Sequence, residues 1–292
     1  MKVYSLMNQK GGVGKSTIAV CLAHGLSLDG FRVLLVDTDA QRNSTLSCYG
    51  SFPDPNEHPY STFELLYYTP DELTKQGIRV EDIIIHTPHC DLIPASQRLA
   101  IIEPMIVSQI GKEFRLQRAF EQIKDLYDFV IIDSPPVLGT ISVNDLTAST
   151  GVIIPSLADL YSLSALGEIQ QQINTVNEFT RKNDPVRTCG IVLNLFDAAQ
   201  IVSRDLGHMI DETAETFGIR IFETRIRKCS TISKAQAEMS SLWDYTQKHR
   251  RSASYVLNGV MDFYAFIKEF LKAEGIRSKG NLTKYMNANF GM

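Results

Sequence analysis

The feature that most constrains the fold is a glycine-rich stretch near the amino terminus, NQKGGVGKST, which runs from Asn8 to Thr17. The apolar run Val3–Met7 before it predicts a buried strand. After it, the spacing of apolar residues in Thr17–Leu28 predicts a helix that ends at Asp29-Gly30. A glycine-rich turn between a strand and a helix exposes backbone N–H groups that bind phosphate oxygens. The stretch therefore predicts a phosphate-binding loop.

This loop departs at one end from the general pattern G-x-x-x-x-G-K-[ST]. Lys15 and Ser16 follow the last glycine as the pattern requires, so Lys15 is expected to reach the β- and γ-phosphates of a nucleotide and Ser16 to coordinate Mg²⁺. The first glycine of the pattern is replaced by Gln9, and a second lysine, Lys10, stands beside it. The residues of the loop predicted to bind the nucleotide are Lys10, Gly11, Gly12, Val13, Gly14, Lys15, Ser16 and Thr17.

Two further predicted strands end in carboxylates. The run VLLVDTD places Asp37 and Asp39 at the end of one strand, and FVIIDSPP places Asp133 at the end of another. Ligands of parallel sheets bind beyond the carboxyl ends of the strands, so we expect Asp133 in the Mg²⁺ shell. Asp37 and Asp39 share a face if the strand continues and diverge if the chain turns. In either case one can approach the metal while the other orients water.

The rest of the chain alternates strand-like apolar runs with helical patterns. This alternation predicts an α/β fold, with a doubly wound, mostly parallel sheet flanked by helices on both faces. Residues 1–274 are expected to form a single domain and residues 275–292 a polar C-terminal tail. The other predicted strands are Phe31–Val36, Ile83–Ile85, Leu92-Ile93, Phe129–Ile132, Gly151–Ile154, Gly190–Leu195 and Ile219–Phe222, and the other predicted helices are Lys112–Tyr127, Ala165–Thr180 and Asn258–Ala273.

Composition and charge limit the partners. The chain of 292 residues is 44% hydrophobic and 21% charged, which predicts an ordinary globular core. The net charge of −4 argues against a generally basic nucleic-acid binder. From residue 218 to the end, however, the chain has 13 Lys and Arg residues but only 6 Asp and Glu residues. This asymmetry indicates either a local face for a polyanion or simply a terminal helix with a solvated basic face.

The cysteine spacing and the first residues of the chain indicate in which cellular compartment the protein is expected. Five cysteines are scattered without a C-x-x-C pair, and this spacing predicts neither a disulfide framework nor a zinc site. The phosphate loop begins so early that no signal peptide is expected, and no apolar run is long enough to span a bilayer. We therefore expect a cytoplasmic protein in a reducing environment.

Three motifs together resemble those of one known family. KGGVGKST, VLLVDTDAQRNST and FVIIDSPP, in this order, resemble the deviant Walker A P-loop ATPases of the ParA/MinD class. STFELL at 61–66, DLIPASQRL at 91–99 and the segment 134–169 resemble the ParA branch, and IRKCSTISKAQ at 226–236 is similar to its late loop. The resemblance covers roughly residues 1–270 and leaves the tail unmatched.

The resemblance implies a mechanism for the second lysine. In this class two ATP-bound subunits form a homodimer in which Lys10 reaches the phosphates of the partner subunit, while Lys15 serves its own ATP. Asp39 corresponds to the aspartate that positions the attacking water, and Asn194 to the residue that contacts adenine. Asp37 and Asp133 match positions of the Mg²⁺ shell. Family members usually have proline where Arg227 stands, and an Ala-Asp pair where this chain has Thr150-Gly151.

The resemblance also implies partners. ParA proteins bind DNA without sequence preference as ATP-bound dimers, and a centromere-binding, ParB-like protein stimulates hydrolysis and releases them. This chain is thus expected to be a DNA-segregation ATPase that is associated with the nucleoid and not stably with a membrane. The candidate DNA contacts, of which Lys228 is the best matched, are Arg225, Arg227, Lys228, Lys234, Lys248, Arg250 and Arg251.

Several alternatives remain open at this point. A MinD-like membrane-cycling ATPase would need a basic amphipathic terminal helix, whereas Phe263–Leu271 has the pattern of a packed one. A ParA-like ATPase that positions a protein cargo would share every nucleotide motif. An iron–sulfur reductase needs cysteines that this chain does not place suitably. A sequence-specific repressor with an N-terminal helix-turn-helix has no room before the phosphate loop.

Overall fold

The centre of the fold is a six-stranded sheet with the strand order β3-β2-β4-β1-β5-β6, and every neighbouring pair is parallel. The computed structural model describes residues 1–197, 209–210, 212–249 and 256–291, and for residues 160–164 the backbone alone. The strands are β1 (Lys2–Leu6), β2 (Val33–Asp37), β3 (Asp91–Ile93), β4 (Phe129–Asp133), β5 (Gly151–Ser156) and β6 (Arg187–Leu193).

The central strands are buried on both faces, which explains why they are continuous apolar runs. Helices cover both faces, so the predicted doubly wound α/β architecture is confirmed. The helices are α1 (Lys15–Leu28), α2 (Asn43–Tyr49), α3 (Thr62–Tyr67), α4 (Pro70–Lys75), α5 (Ile102–Ile106), α6 (Arg115–Gln122), α7 (Thr140–Ala148), α8 (Leu160–Phe179), α9 (Ser230–Ala237), α10 (Leu242–His249), α11 (Leu257–Ala273) and α12 (Asn281–Phe290).

The strand order brings the functional loops together. β1 lies between β4 and β5, and β2 lies on the other side of β4. The register pairs Leu6 with Asp133 and Asp37 with Asp133, so β1, β2 and β4 end at the same level. The loops that follow these three neighbouring strands therefore meet at one edge of the sheet.

Three predicted elements differ from the structure. Ile83–Ile85 is wrong as a strand, because a 3₁₀ turn occupies Val80–Ile83 and only an isolated bridge joins Ile85 to Leu92. Ile219–Phe222 contributes only an isolated bridge from Ile221 to Ile191. The helix predicted at 112–127 is shorter, since a 3₁₀ turn precedes α6 and α6 ends at Gln122. Short apolar runs that are buried in turns have the same pattern as strands, which explains the first two errors.

The C-terminal segment that was expected to be a polar tail contains α12, which packs on the core. Leu282 and Met286 are buried in the same cluster as α1 and α11. Asp29, at the end of α1, accepts hydrogen bonds from Ser278 Oγ at 2.8 Å, from the Lys279 backbone N–H at 2.9 Å and from the Leu282 backbone N–H at 3.1 Å. This fully buried carboxylate attaches the segment to the body of the protein.

Replacing Asp29 with alanine should lower the free energy of unfolding by about 2–3 kcal/mol, because it leaves buried N–H donors without an acceptor. Ser278→Ala removes only one of the three bonds and should cost about 1 kcal/mol. Urea denaturation of both variants measures the difference. Equal stability of Asp29→Ala and the unmodified chain would contradict this role for the carboxylate.

Candidate nucleotide-binding site

The three loops surround an open cleft of about 510 Å³ at the carboxyl edge of the sheet. The phosphate loop forms one wall, and the residues after β2 form another. The rest of the cleft is lined by two helices, through Asn43, Leu46 and Ser47 of α2 and Gln236 near the end of α9. The volume and the mixed polar lining are suited to a nucleotide.

The backbone of the phosphate loop needs glycine at its most crowded point. Gly14 has a φ of +88°, and a Cβ there would lie 2.0 Å from the side-chain nitrogen of Asn194. That Asn194 amide donates to the Val13 carbonyl at 2.8 Å. On the other side, the Asn8 side chain donates to the Pro155 carbonyl at 2.7 Å and accepts from the Lys10 backbone N–H at 2.9 Å. The ends of β5 and β6 thus hold the loop in place, and the contact of Asn194 with adenine stays a prediction.

Lys15 begins α1 at the bottom of the cleft, where it is 8% exposed. Burial lowers the pKa of this ammonium group, and the carboxylates of Asp133 and Asp39 oppose that shift. The side chain is thus a desolvated cation that lines the cleft. The contact of Lys15 with the β- and γ-phosphates stays a prediction.

Asp37 and Asp133 form a buried acidic pair across β2 and β4. Burial raises the pKa of Asp37, and the charge of Asp133 raises it further. Asp37 Oδ2 accepts from the backbone N–H and the hydroxyl of Thr45 at 2.8 and 2.7 Å. Burial also raises the pKa of Asp133, while Ser16, Ser44 and Lys15 oppose this shift. Both carboxyl groups therefore resist ionisation in the absence of a cation, and a bound cation would stabilise their charged forms.

This acidic pair fits a hard divalent cation. Asp133 Oδ1 is buried and has no hydrogen-bond partner among the residues that the structure describes, although Oδ2 accepts from Ser44 at 2.7 Å. An unsatisfied carboxylate oxygen beside the Ser16 hydroxyl is an oxygen-rich arrangement of the kind that Mg²⁺ prefers. Ser16, Asp37 and Asp133 are therefore the residues that would hold the metal, directly or through water.

Asp39 points away from this pair. The chain turns after β2, so that the Asp39 backbone N–H donates to Asp37 Oδ1 at 3.1 Å, and Asp39 Oδ1 accepts from the Gln41 backbone N–H at 2.9 Å. Asp37 is fully buried, whereas Asp39 is partly exposed and lines the cleft. The structure thus selects the diverging arrangement that the sequence left open.

Lys10 directly precedes Gly11 of the loop and forms an ion pair with Asp159, which follows β5. Both side chains are between a quarter and a third exposed. The ammonium group is therefore bound within the same chain. Sequence reasoning missed Asp159, because its position beside the loop depends on β5 lying next to β1.

A third buried carboxylate, Asp145 on α7, was also missed. Its Oδ2 accepts from the Thr38 hydroxyl at 2.9 Å, and that hydroxyl also contacts the Asp133 carbonyl. Burial raises the pKa of Asp145 to about 7. From α7, Asp145 thus stabilises the loop after β2 through its hydrogen bond with Thr38. Its signal in the sequence is weak, because a single aspartate in a helix is usually exposed.

The predicted DNA contacts lie in different environments. Arg227 is engaged by Asp262, with Nη2 to Oδ1 at 2.7 Å, and Lys248 by Glu238 at 3.1 Å. Arg225 lies over the Phe196 ring at 5.0 Å. The side chains of Lys228 and Lys234 are exposed. Arg250 and Arg251 lie outside the described residues.

The site defines a class of protein. A parallel sheet, a glycine-rich loop between β1 and α1, and carboxylates at the ends of two adjacent strands are the parts of a P-loop NTPase. Within the described ranges, no helix combines the length and the apolar character that crossing a membrane requires.

Comparison with known proteins identifies the family. The AAA domain family matches residues 1–186. The sporulation initiation inhibitor protein Soj of Bacillus subtilis is 34% identical over 87% of this chain and 95% of its own. The chromosome partitioning protein ParA of Myxococcus xanthus is 29% identical over 88% of this chain and 86% of its own. This chain therefore belongs to the ParA/Soj family of partition ATPases, as its motifs predicted.

A solved structure supports the assignment of the ligand. Cobyrinic acid a,c-diamide synthase from Mycobacterium smegmatis, crystallised with an ATP analogue and magnesium, superposes with a TM-score of 0.68. It is 30% identical and covers 86% of this chain and 96% of its own. The shared fold thus binds a nucleotide and magnesium in that protein.

Proposed function

We propose that this protein is an ATP-dependent DNA-partition ATPase. In this proposal Mg²⁺-ATP closes a homodimer, the dimer binds DNA without sequence preference, and hydrolysis releases it. The observation that carries the proposal is the separation of roles around one cleft. Asp37 and Asp133 are buried and suited to a metal, Asp39 lines the open cleft, and a second lysine, Lys10, directly precedes the cleft-lining Gly11 and pairs with Asp159.

The residues of one chain suffice to bind ATP. The backbone N–H groups from Gly11 to Thr17 face the phosphates, and Lys15 supplies a desolvated positive charge. Mg²⁺, when bound, neutralises charge that develops on the phosphate oxygens. Ser16, Asp37 and Asp133 hold it, while Thr45 and Ser44 keep the two carboxylates oriented.

Asp39 is the residue that orients the attacking water. Its carboxylate is fixed by the Gln41 N–H on one oxygen and lies in the cleft wall rather than in the acidic pair. A carboxylate in this position can accept a hydrogen bond from water and direct it at the terminal phosphate. The role is separate from that of Asp37, which has its hydrogen bonds inside the fold.

Lys10 is the residue that makes hydrolysis depend on a dimer. In a single chain its ammonium is paired with Asp159. In the closed dimer it would leave this partner and reach the phosphates bound by the other subunit, where a cation stabilises the transition state. Partly exposed ion pairs contribute little to stability, so the exchange costs little.

Lys228 and Lys234 are the basic residues best placed for DNA. Both are exposed, Lys228 just before α9 and Lys234 in its last turn, and α9 also lines the nucleotide cleft through Gln236. A surface that adjoins the nucleotide site can respond to ATP. Contacts of this kind bind phosphates electrostatically and without sequence preference.

The double variant Lys228→Glu, Lys234→Glu should abolish ATP-dependent retention of DNA at moderate salt and keep basal ATP hydrolysis. Each lost phosphate contact should reduce the salt slope of DNA binding by about 1. Gel retention and ATPase assays measure the two properties. The matched control, Lys75→Glu with Lys182→Glu, changes the net charge equally at exposed positions elsewhere and should retain DNA. Retention by the first variant equal to that of the control would contradict the DNA proposal.

The proposal extends to a partner and a location. A centromere-bound, ParB-like protein would stimulate hydrolysis, and the ATP-bound dimer would associate with the nucleoid in the cytoplasm. The relationship to ParA and Soj supports both statements. ATP-dependent co-sedimentation with DNA, reversed when such a partner is added, would test the complete cycle.

A further inference from the structure

Three side chains that commonly bind metals meet on the side of α1 that faces away from the nucleotide. They are His24 on α1, Cys48 near the end of α2, and Cys90 immediately before β3. Their ligand atoms all lie within 4.8 Å of one another, and the two sulfur atoms are 3.8 Å apart. Each residue is less than 10% exposed. Its members are far apart in the sequence, so the cysteine spacing gave no indication of this cluster.

The imidazole of His24 indicates that the cluster binds a ligand. His24 is 1% exposed, and neither ring nitrogen has a hydrogen-bond partner in the portion of the chain that the structure describes. A buried polar ring without a partner costs free energy, and natural folds rarely retain one without a function. A cation between the ring and the two sulfur atoms would satisfy a nitrogen that the protein leaves unsatisfied.

A fourth side chain stands next to the cluster. The ring of His89 lies 4.7 Å from the ring of His24, measured between centroids. Its Nε2 pairs with Asp244 Oδ2 at 2.7 Å. Asp244 therefore holds His89 beside the cluster, although His89 is not one of the three side chains whose ligand atoms lie within 4.8 Å of one another.

We propose that His24, Cys48 and Cys90 bind a divalent cation of the zinc class, with water in the fourth position of a tetrahedral shell. Two thiolates and an imidazole nitrogen form a soft ligand set that selects zinc-like ions, whereas Mg²⁺ prefers oxygen. An open cleft of about 400 Å³, lined by Cys48, His89 and Asp244, gives the ion a route from the surface. The proposed ion is therefore distinct from the Mg²⁺ of the nucleotide site.

The site would connect three elements of the fold. α2 carries Cys48 at one end, and at the other it carries Ser44 and Thr45, which hold the two aspartates of the nucleotide site. A metal that fixes Cys48 to α1 and to the start of β3 would restrain this short helix. Because the ion binds the folded chain, it should raise the melting temperature in a concentration-dependent way.

The test uses the full chain after treatment with a chelator and titration with Co²⁺, a spectroscopic substitute for zinc. The chain should bind about one ion with thiolate-to-cobalt charge-transfer absorption, and zinc should displace it. Cys48→Ser and Cys90→Ser should each lose this absorption. The oxygen ligands of the nucleotide site cannot produce it, so binding there is distinguished. Cys21→Ser, a buried cysteine of α1 outside the cluster, is the matched control and should keep the absorption.

Two more variants test the imidazole ligand and its surroundings. His24→Gln should weaken cobalt binding at least 100-fold, whereas Asp244→Asn, which changes only a group beside the cluster, should weaken it by less than about 10-fold. Far-ultraviolet circular dichroism of the metal-free variants verifies folding. If one cysteine variant fails to fold, His24→Gln gives the same answer. No charge-transfer band in the unmodified chain, an unchanged band in Cys48→Ser, or a Cys48–Cys90 disulfide found by mass spectrometry in place of metal would overturn the proposal.

Discussion

Lys10→Ala should lower dimer-dependent ATP hydrolysis by about 10³-fold or more, while the affinity of a single chain for ATP stays close to that of the unmodified protein. A cation supplied by a second subunit to a transferring phosphoryl group is worth a factor of this size. Lys15 and the backbone of the loop bind the nucleotide of their own chain. Lys10, by contrast, is paired with Asp159 in the single chain.

The experiment combines equilibrium binding of a fluorescent ATP analogue with hydrolysis measured over a range of protein concentrations. The unmodified protein should show a specific activity that rises with concentration, and Lys10→Ala should not. Asp159→Asn is a useful second variant, because it removes the negative charge paired with Lys10 and keeps the lysine. It should keep hydrolysis and favour the dimer. If Lys10→Ala hydrolysed ATP at the normal rate, the proposed role in trans would be excluded.

Asp39→Ala should reduce hydrolysis by about 10²- to 10⁴-fold, the usual contribution of a positioned acid or base. ATP binding and dimer closure should survive, so that the ATP-bound dimer accumulates. The structural reason is the turn after β2, which puts Asp39 in the cleft wall and leaves Asp37 to the buried acidic pair. Removing Asp39 therefore leaves the predicted metal ligands and their supports intact.

Light scattering after size-exclusion chromatography with ATP measures the dimer, and phosphate release measures turnover. Asp39→Asn preserves the size of the side chain and can still accept from Gln41, yet it should be as inactive as Asp39→Ala. Asp37→Asn is the contrast, since it should lose Mg²⁺-dependent nucleotide binding instead. Normal turnover by Asp39→Ala would show that another group orients the water.

The phosphate loop and the sheet class could be predicted because their signals are local. The strand, the glycine turn and the helix that form the loop are adjacent in sequence, and continuous apolar runs are typical of strands buried on both faces. Asp133 was placed correctly at the carboxyl edge for the same reason, as it directly follows four apolar strand residues. The prediction of strands from short apolar runs was wrong where such a run is buried in a turn, as at Ile83–Ile85.

The sequence by itself determined which backbone could bind phosphate, which strands would be buried and which family the chain resembles. Only the tertiary structure decided that Asp37 and Asp39 diverge, that Lys10 meets Asp159, and that His24, Cys48 and Cys90 converge. The physical reason is the range of each interaction. Side-chain periodicity acts between neighbours in the chain, whereas the strand order brings together the distant segments that carry Lys10 and Asp159, and those that carry the metal-binding cluster. Asp37 and Asp39 are neighbours in the sequence, but the turn that separates them has no periodic pattern that predicts it.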